Sequence, residues 1–285
     1  MSVVVREARP EDAEVCGRIC YDAFTAINAA HGFPPEFPSP EVASGVLAMM
    51  IAHPRIHVVV AERDGTIAGS NAIDERSLIA GIGPISVRLD AQNAGAGRRL
   101  MTAVLERSRA RAVPGVRLVQ TAFHNRSLAL YTKLGFVARE PLSCIQGPPI
   151  GRVPAGVVVR PATAADVAAC DALALRVHGH DRSGEVRDAV AAGTARVVER
   201  AGRIVAYTTD VAFFGHTVGE TDEDVVALIA TAPAFGGPGF LVPTRNAMLL
   251  GWCLAHGLRV VQPMTLMTIA LYAEPRGAWL PSVLF

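Results

Sequence analysis

Along the chain, short β-branched runs alternate with segments whose apolar residues recur every three to four positions. Val3-Val4-Val5-Arg6 is a β-branched run and predicts a strand. Glu11–Ala30 and Glu41–Ala52 carry apolar residues at helical spacing. His57–Asp74 is a strand-like run on each side of Asp64-Gly65, which predicts a β-hairpin closed by a tight turn. A strand over Gly83–Leu89, a helix over Gly97–Ala112, a strand over Val116–Phe123, a helix over Ser127–Leu134 and a strand over Phe136–Pro141 follow. This alternation predicts an α/β domain with a mixed sheet.

The segment from Gly147 to Gly156, with Pro148, Pro149 and Pro154, suits neither helix nor strand and reads as a linker. The two sides of it look alike. Val3-Val4-Val5-Arg6, then Pro10-Glu11-Asp12, corresponds to Val157-Val158-Val159-Arg160, then Ala164-Ala165-Asp166. Val60-Ala61-Glu62-Arg63-Asp64-Gly65-Thr66-Ile67 corresponds to Val197-Val198-Glu199-Arg200-Ala201-Gly202-Arg203-Ile204. Two correspondences in the same order predict a duplicated domain, with units 1–146 and 157–285 joined by 147–156.

Of the 285 residues, 51% are hydrophobic and 19% charged, a composition that builds packed cores rather than disordered chain. The formal net charge is +1, so no global field favours nucleic acid or an anionic membrane. No basic stripe with interleaved aromatics appears, and apolar runs are interrupted well short of a membrane span. Neither nucleic acid nor membrane is therefore expected as a partner, while a homodimer stays open. Nothing at the N-terminus resembles a signal peptide, and five scattered cysteines suit reduced thiols, so a cytoplasmic setting is expected. No Cys or His cluster has metal-ligand spacing, so no metal is expected.

The segment with the most specific chemistry is Ile85-Ser86-Val87-Arg88-Leu89-Asp90-Ala91-Gln92-Asn93-Ala94-Gly95-Ala96-Gly97-Arg98-Arg99-Leu100-Met101. A strand runs into a small-residue loop that opens an amphipathic helix. Backbone N–H groups at such a helix start lack intrahelical partners, and the helix dipole favours negative charge. Glycines let the backbone approach a phosphate, and Arg98 adds positive charge. Glycines alone would equally make a plain turn before a surface helix. The GK[ST] ending of a P-loop is absent, and Leu100 stands where a dinucleotide fingerprint needs its third glycine.

Gln92-Asn93-Ala94-Gly95-Ala96-Gly97 resembles the Q/R-x-x-G-x-G/A signature of the GNAT acetyltransferase superfamily. Asn125-Arg126-Ser127-Leu128-Ala129-Leu130-Tyr131-Thr132-Lys133-Leu134-Gly135-Phe136 resembles that superfamily's N-x-x-A-x-x-L-Y-x-K-L-G-F segment. The resemblance covers roughly Val3 to Pro141 and is weaker beyond. It implies two tandem GNAT-like domains, each a mixed, mostly antiparallel sheet flanked by helices and splayed at its central strands. It further implies an acetyl-CoA-dependent N-acetyltransferase in which an amine of a small-molecule acceptor attacks the thioester directly in a ternary complex. Acetyl-CoA is then a co-substrate. A longer acyl-CoA, a protein or peptide acceptor, or a non-catalytic CoA-binding sensor or scaffold are the alternatives.

On that resemblance, the amides from Gln92 through Asn93, Ala94, Gly95, Ala96 and Gly97 to Arg98 hold the pyrophosphate. Ser86 and Val87 pair with the pantetheine arm, and the Val87 N–H meets the thioester carbonyl. Asn125 contacts the cofactor, although its position also suits a helix N-cap. Tyr131 stands as general acid to the thiolate, although a half-buried tyrosine packed on the sheet would look the same. The strand before the Gly loop has no acid to serve as base. Asp74 and Glu75 lie just upstream, where a solvated turn is expected. The segment from His31 to Pro40 alternates aromatics and prolines; His31, Phe33, Glu36 and Phe37 are candidates to line the acceptor cleft, or to pin an inter-helix connector.

The second half departs from this pattern. The segment Pro233–Pro243 stands where a Gly loop is wanted, and its prolines remove N–H donors. Ala270-Leu271-Tyr272 echoes Ala129-Leu130-Tyr131, but Glu274-Pro275 follows, so Tyr272 is expected in a strand. A repeat without a cofactor site is expected there.

Overall fold

The computed structural model describes residues 3–152 and 154–284. Val153 of the proline-rich connection, Met1 and Ser2 at the start, and Phe285 of the apolar C-terminal run lie outside the described residues.

The first half runs β1 (Val3–Glu7), α1 (Ala13–Ala30), α2 (Pro40–Ala52), β2 (Ile56–Arg63), β3 (Thr66–Asp74), β4 (Ala80–Ile82) and β5 (Ser86–Val87). It continues with α3 (Ala96–Ala110), β6 (Gly115–Thr121), α4 (Asn125–Lys133) and β7 (Val137–Gln146). The second half runs β8 (Val158–Pro161), α5 (Val167–His178), α6 (Ser183–Ala192), β9 (Arg196–Arg200), β10 (Arg203–Thr208) and β11 (Thr217–Gly219). It ends with α7 (Asp222–Thr231), β12 (Phe240–Pro243), α8 (Ala247–Ala255), β13 (Arg259–Ala270) and β14 (Ala278–Leu280).

The halves repeat each other in detail. Both hairpins turn through two residues of positive φ, Asp64-Gly65 at 53° and 75° and Ala201-Gly202 at 50° and 74°. Such turns match the twist of the flanking strands. In the first half Arg6 donates to Asp12 at 2.7 Å and to Glu62 at 2.8 Å. In the second, Arg160 donates to Asp166 at 2.8 Å and to Glu199 at 3.1 Å. Each aspartate also accepts a backbone N–H at 2.7 Å, from Arg9 or Thr163, and so caps the turn that starts the first helix of its half.

The sheets are not divided between the halves. One sheet runs β1-β2-β3-β4-β6-β13-β7-β12, with β5 also paired to β3; the other runs β14-β11-β10-β9-β8. Strand β13 therefore enters from the second half between β6 and β7. It pairs antiparallel with β6 from Met264↔Thr121 to Ala270↔Gly115, and with β7 from Arg259↔Gln146 to Thr268↔Val137. The other neighbour of β7 is β12, again from the second half. The two halves thus exchange their last long strands.

One strand expected from the sequence is shorter in the fold. Of the expected strand Gly83–Leu89 only Ser86–Val87 forms, as β5; β4 lies just before it, and a cis Gly83–Pro84 peptide bond stands between the two. Pro84 has no N–H to give a ladder, so pairing cannot run through it.

Candidate active site

The division between β4 and β5 makes the site. Strand β4 runs parallel to β6, with Ala80 opposite Val116 and Gly81 opposite Arg117. After Pro84 the chain leaves β6. Strand β5 pairs only with β3, Ser86 opposite Ser70 and Val87 opposite Gly69. Its other edge faces a cleft of 760 Å³ that is also lined by α1, α3, α4 and β6. An unpaired strand edge is a template for an extended partner.

The Gly loop closes one end of this cleft. Gly95 has φ +87° and stands as N-cap of α3, while Asn93 has φ +65°. The first intrahelical bond runs from the Arg99 N–H to the Gly95 carbonyl at 3.1 Å. The amides of Ala96, Gly97 and Arg98 precede it and have no helix acceptor. They carry the positive end of the α3 dipole, anchored behind by buried Leu100, Met101, Val104 and Leu105. Gln92, Asn93, Gly95, Ala96, Gly97 and Arg98 all line the cleft, with Ser86 and Val87. Ala94 is exposed beside it.

The sequence reading passed over two cations here. Arg126 and Lys133 on α4 also line the cleft. The Arg126 guanidinium donates to Gln92 Oε1 and to Asn93 Oδ1, and the Gln92 amide donates to the Val87 carbonyl at 3.2 Å. Asn125, one residue earlier, begins α4 on the exposed side and is not among the lining residues. The lone arginine between Asn125 and Ser127 gave no pattern to read; only the fold brings it against the Gly loop.

Tyr131 is buried, with 7% exposure, and lines the cleft with its ring edge-on to Phe136, centroids 6.0 Å apart. Burial alone pushes its phenol well above the ordinary range, so it stays protonated. His124 also lines the cleft; burial foremost, with Arg126 adding, lowers its pKa, which keeps it neutral.

The acceptor candidates divide. Glu36 and Phe37 line the cleft and are buried. Phe33 instead stacks on Phe123 at 4.2 Å, and His31 lies 5.1 Å from the same ring, so both hold the connector down away from the lining. Glu36 is 8% exposed and Oε1 has no hydrogen-bond partner. Burial raises its pKa to about 7, partly offset by the amide of Gln262 on β13. Asp74 and Glu75 are buried rather than solvated. Arg76 holds Asp74 at 2.6 Å, and Arg107 holds Glu75 at 2.7 Å. Neither lines the cleft.

In the second half the counterpart of the Gly loop is not Pro233–Pro243, which follows α7 and leads into β12. The counterpart is Glu220–Asp224, between β11 and α7. Thr221 caps α7, and Asp224 Oδ2 accepts from Thr221 N at 3.2 Å and from its hydroxyl at 2.9 Å. Asp222 and Glu223 add negative charge to the first turn, and buried Asp224 is held by Arg200 at 2.6 Å, so side chains already satisfy the start of α7. Beyond β11 the splay is already filled, because β14 pairs with β11 from Thr217↔Leu280 to Gly219↔Ala278. Tyr272 is not in a strand: β13 ends at Ala270, and Tyr272 lies in the loop beyond it, beneath the guanidinium of Arg117 at 5.3 Å. Counting back from Gly257-Leu258, the equivalents of Gly135-Phe136, the position of Tyr131 on α8 is taken by Cys253.

Among the described residues no group of three or more His, Cys, Asp and Glu is gathered for a metal ion. No described helix is long and apolar enough to cross a membrane.

Comparison with known proteins agrees with this geometry. Residues 23–136 match the model of the Acetyltransferase (GNAT) family. No curated protein matches the sequence. Among solved structures, a putative acetyltransferase from Pyrococcus horikoshii superposes with a TM-score of 0.74 at 18% identity, over 97% of this chain and 94% of that one. A GCN5-related N-acetyltransferase from Sphaerobacter thermophilus gives 0.61 at 15%, over 95% and 96%. A tandem GNAT protein from the clavulanic acid biosynthesis pathway gives 0.56 at 15%, over 94% and 98%. Residues 23–136 thus carry a domain that matches the GNAT acetyltransferase family, and the whole length has the fold of the tandem GNAT structure.

Proposed function

We propose that the protein transfers an acetyl group from acetyl-CoA to the amine of a small-molecule acceptor, by direct attack within a ternary complex. One observation carries the reading: the unpaired edge of β5, the free amides at the start of α3 and the phenol of Tyr131 all line one cleft.

The pyrophosphate rests on the amides between Gln92 and Arg98, with Arg98, Arg126 and Lys133 adding charge. The pantetheine arm lies along Ser86 and Val87 as an added strand. The carbonyl oxygen then meets the Val87 N–H, a fixed dipole that stabilises the charge developing there as the amine attacks. Collapse of the tetrahedral adduct breaks the C–S bond. Tyr131, held protonated by burial, gives its proton to the departing thiolate. Asn125 acts from the rim, steadying the start of α4. The sequence units 1–146 and 157–285 form a catalytic half and a half that binds no cofactor.

Release of free CoA thiol from acetyl-CoA, followed with a thiol reagent across a panel of small amines, tests the reading. Acetylated amine in stoichiometric yield supports it. Acetyl-CoA binding without thiol release from any amine makes the protein a sensor or scaffold instead.

A further inference from the structure

The end of the cleft beyond the thioester position is built from both halves. Phe213, Phe214, Met264, Val283 and Leu284 come from the second half and line the same cavity as Ser86, Val87 and Glu36. The segments are joined, since the Val283 N–H donates to the Phe213 carbonyl at 2.8 Å. These five residues give the cavity an apolar wall with no charge.

Against that wall stand three buried hydrogen-bond acceptors without a partner: Glu36 Oε1, Ser86 Oγ and Gln120 Oε1. Their residues are 8%, 4% and 3% exposed, and all three line the cavity. Buried acceptors left without donors are costly, so three in one cavity point to a ligand rich in N–H groups. An ammonium group offers three. Glu36 and Ser86 both lie against Cys20 of α1. The other titratable neighbour of Glu36 is Cys144 on β7, and the facing group on β13 is the neutral amide of Gln262. Burial pushes the Cys144 thiol up to about 12 and that of Cys20 higher still, so both are neutral and supply no counter-charge.

Resting on the acetyl-transfer reading, we propose that Glu36 is the general base of this enzyme, receiving the proton of a primary ammonium acceptor whose apolar body lies against Phe213, Phe214, Met264 and Val283. The acceptor binds as R–NH₃⁺. One N–H bond breaks, and its proton moves to the Glu36 carboxylate. The nitrogen lone pair then forms the C–N bond to the acetyl carbon. When the adduct collapses, the C–S bond breaks, the thiolate takes a proton from Tyr131, and the phenolate takes the surplus proton of the new amide nitrogen. Glu36 returns its own proton to solvent as the amide leaves. A carboxyl held near pH 7 is ionised often enough to accept a proton and weak enough as a base to release it.

Two measurements on the full chain test this. In calorimetry on CoA-saturated protein, 2-phenylethylamine should bind, and its neutral isostere 2-phenylethanol should bind at least about tenfold more weakly, as should the amine to E36Q. CoA affinity should be the same in both proteins. An amine that binds equally to wild type and E36Q, or not at all to wild type, overturns the assignment. In turnover, the acid limb of the kcat/KM profile near pH 7 should vanish in E36Q, whose rate should climb instead toward pH 9 as free amine accumulates. An unchanged profile would also overturn it. A wild type that binds the amine but releases no thiol would sink the acetyl-transfer reading and leave the ammonium site standing.

Discussion

The Arg126 guanidinium donates to the side-chain oxygen of Gln92, across the gap between the start of α4 and the Gly loop. Gln92 in turn reaches the Val87 carbonyl at 3.2 Å. One arginine thus ties the Gly-loop end of the cleft, where the pyrophosphate is proposed to sit, to the strand edge proposed for the thioester, and it lines the same space. Arg126→Ala should weaken acetyl-CoA binding about 10- to 100-fold, the loss of one or two charge-assisted contacts. Titration calorimetry reads this directly. Unchanged affinity would return Arg126 to a loop-bracing role.

Gly97 offers a graded test of the same end. A Cβ there would lie 3.7 Å from Val87 Cγ2 and 3.8 Å from Leu130 Cδ2, which is ordinary contact. Gly97→Ala should therefore fold and bind acetyl-CoA with modest loss. Gly97→Glu puts a carboxylate beside the pyrophosphate and should abolish measurable binding in a protein whose circular dichroism is unaltered. Equal affinity in the two variants would place the cofactor elsewhere.

Tyr131→Phe keeps the packing on Phe136 and removes only the proton. It should lower kcat by about 10²–10⁴, the usual contribution of general acid catalysis, with acetyl-CoA affinity little changed. No break from ionisation of the phenol should appear below pH 10, since burial raises its pKa far above that. A kcat unaffected where chemistry limits the rate would make Tyr131 a packing residue.

The proposed cofactor end of the site is legible in the sequence because it is local. The Gly loop, its helix and Tyr131 fall within one continuous stretch whose spacing carries the chemistry. The proposed acceptor end is assembled from Glu36, Phe213, Met264 and Val283, which no spacing relates; only the tertiary fold brings them together. The second half differs from the sequence expectation for another reason. Its Gly-loop counterpart was sought by composition at Pro233–Pro243, whereas element order puts it at Glu220–Asp224. Acidic helix starts such as Asp222-Glu223-Asp224 carry no glycine signal, since there the side chains satisfy the helix dipole.

Glu36 also predicts a stability signature. Burial raises its carboxyl from 4.5 in a free chain to about 7 in the fold. The folded state therefore holds a proton that the unfolded state releases between those two values. The neutral carboxyl's contribution to stability is fully present below pH 4.5 and is lost as pH rises through 7. At 1.36 kcal/mol per unit the loss is on the order of 3 kcal/mol. Glu36→Gln keeps the neutral shape at every pH, so it should unfold at a higher temperature than wild type at pH 8 and gain little at pH 5. Parallel thermal denaturation at the two pH values checks this, and an equal Tm difference at both would show that Glu36 is not buried as a charge.

The strand exchange makes a further demand on the chain. Both neighbours of β7, β13 and β12, come from the second half. A fragment of residues 1–146 would leave β7 unpaired on both sides and expose the β6 edge from Gly115 to Thr121. Buried residues such as Leu142, Cys144 and Ile145 would then face water, and unpaired apolar edges aggregate. The fragment should be insoluble or inactive, and co-expression with residues 147–285 should restore activity, because strand pairing across the two pieces needs no covalent link. The restored pair, like the intact chain, should bind one acetyl-CoA in calorimetry. In the second half β14 already occupies the edge of β11, and three carboxylates guard the start of α7. A stoichiometry of two would mean that β14 leaves its groove to admit a cofactor. Full activity from residues 1–146 alone would mean that β7 finds another partner and that the second half is dispensable to the site.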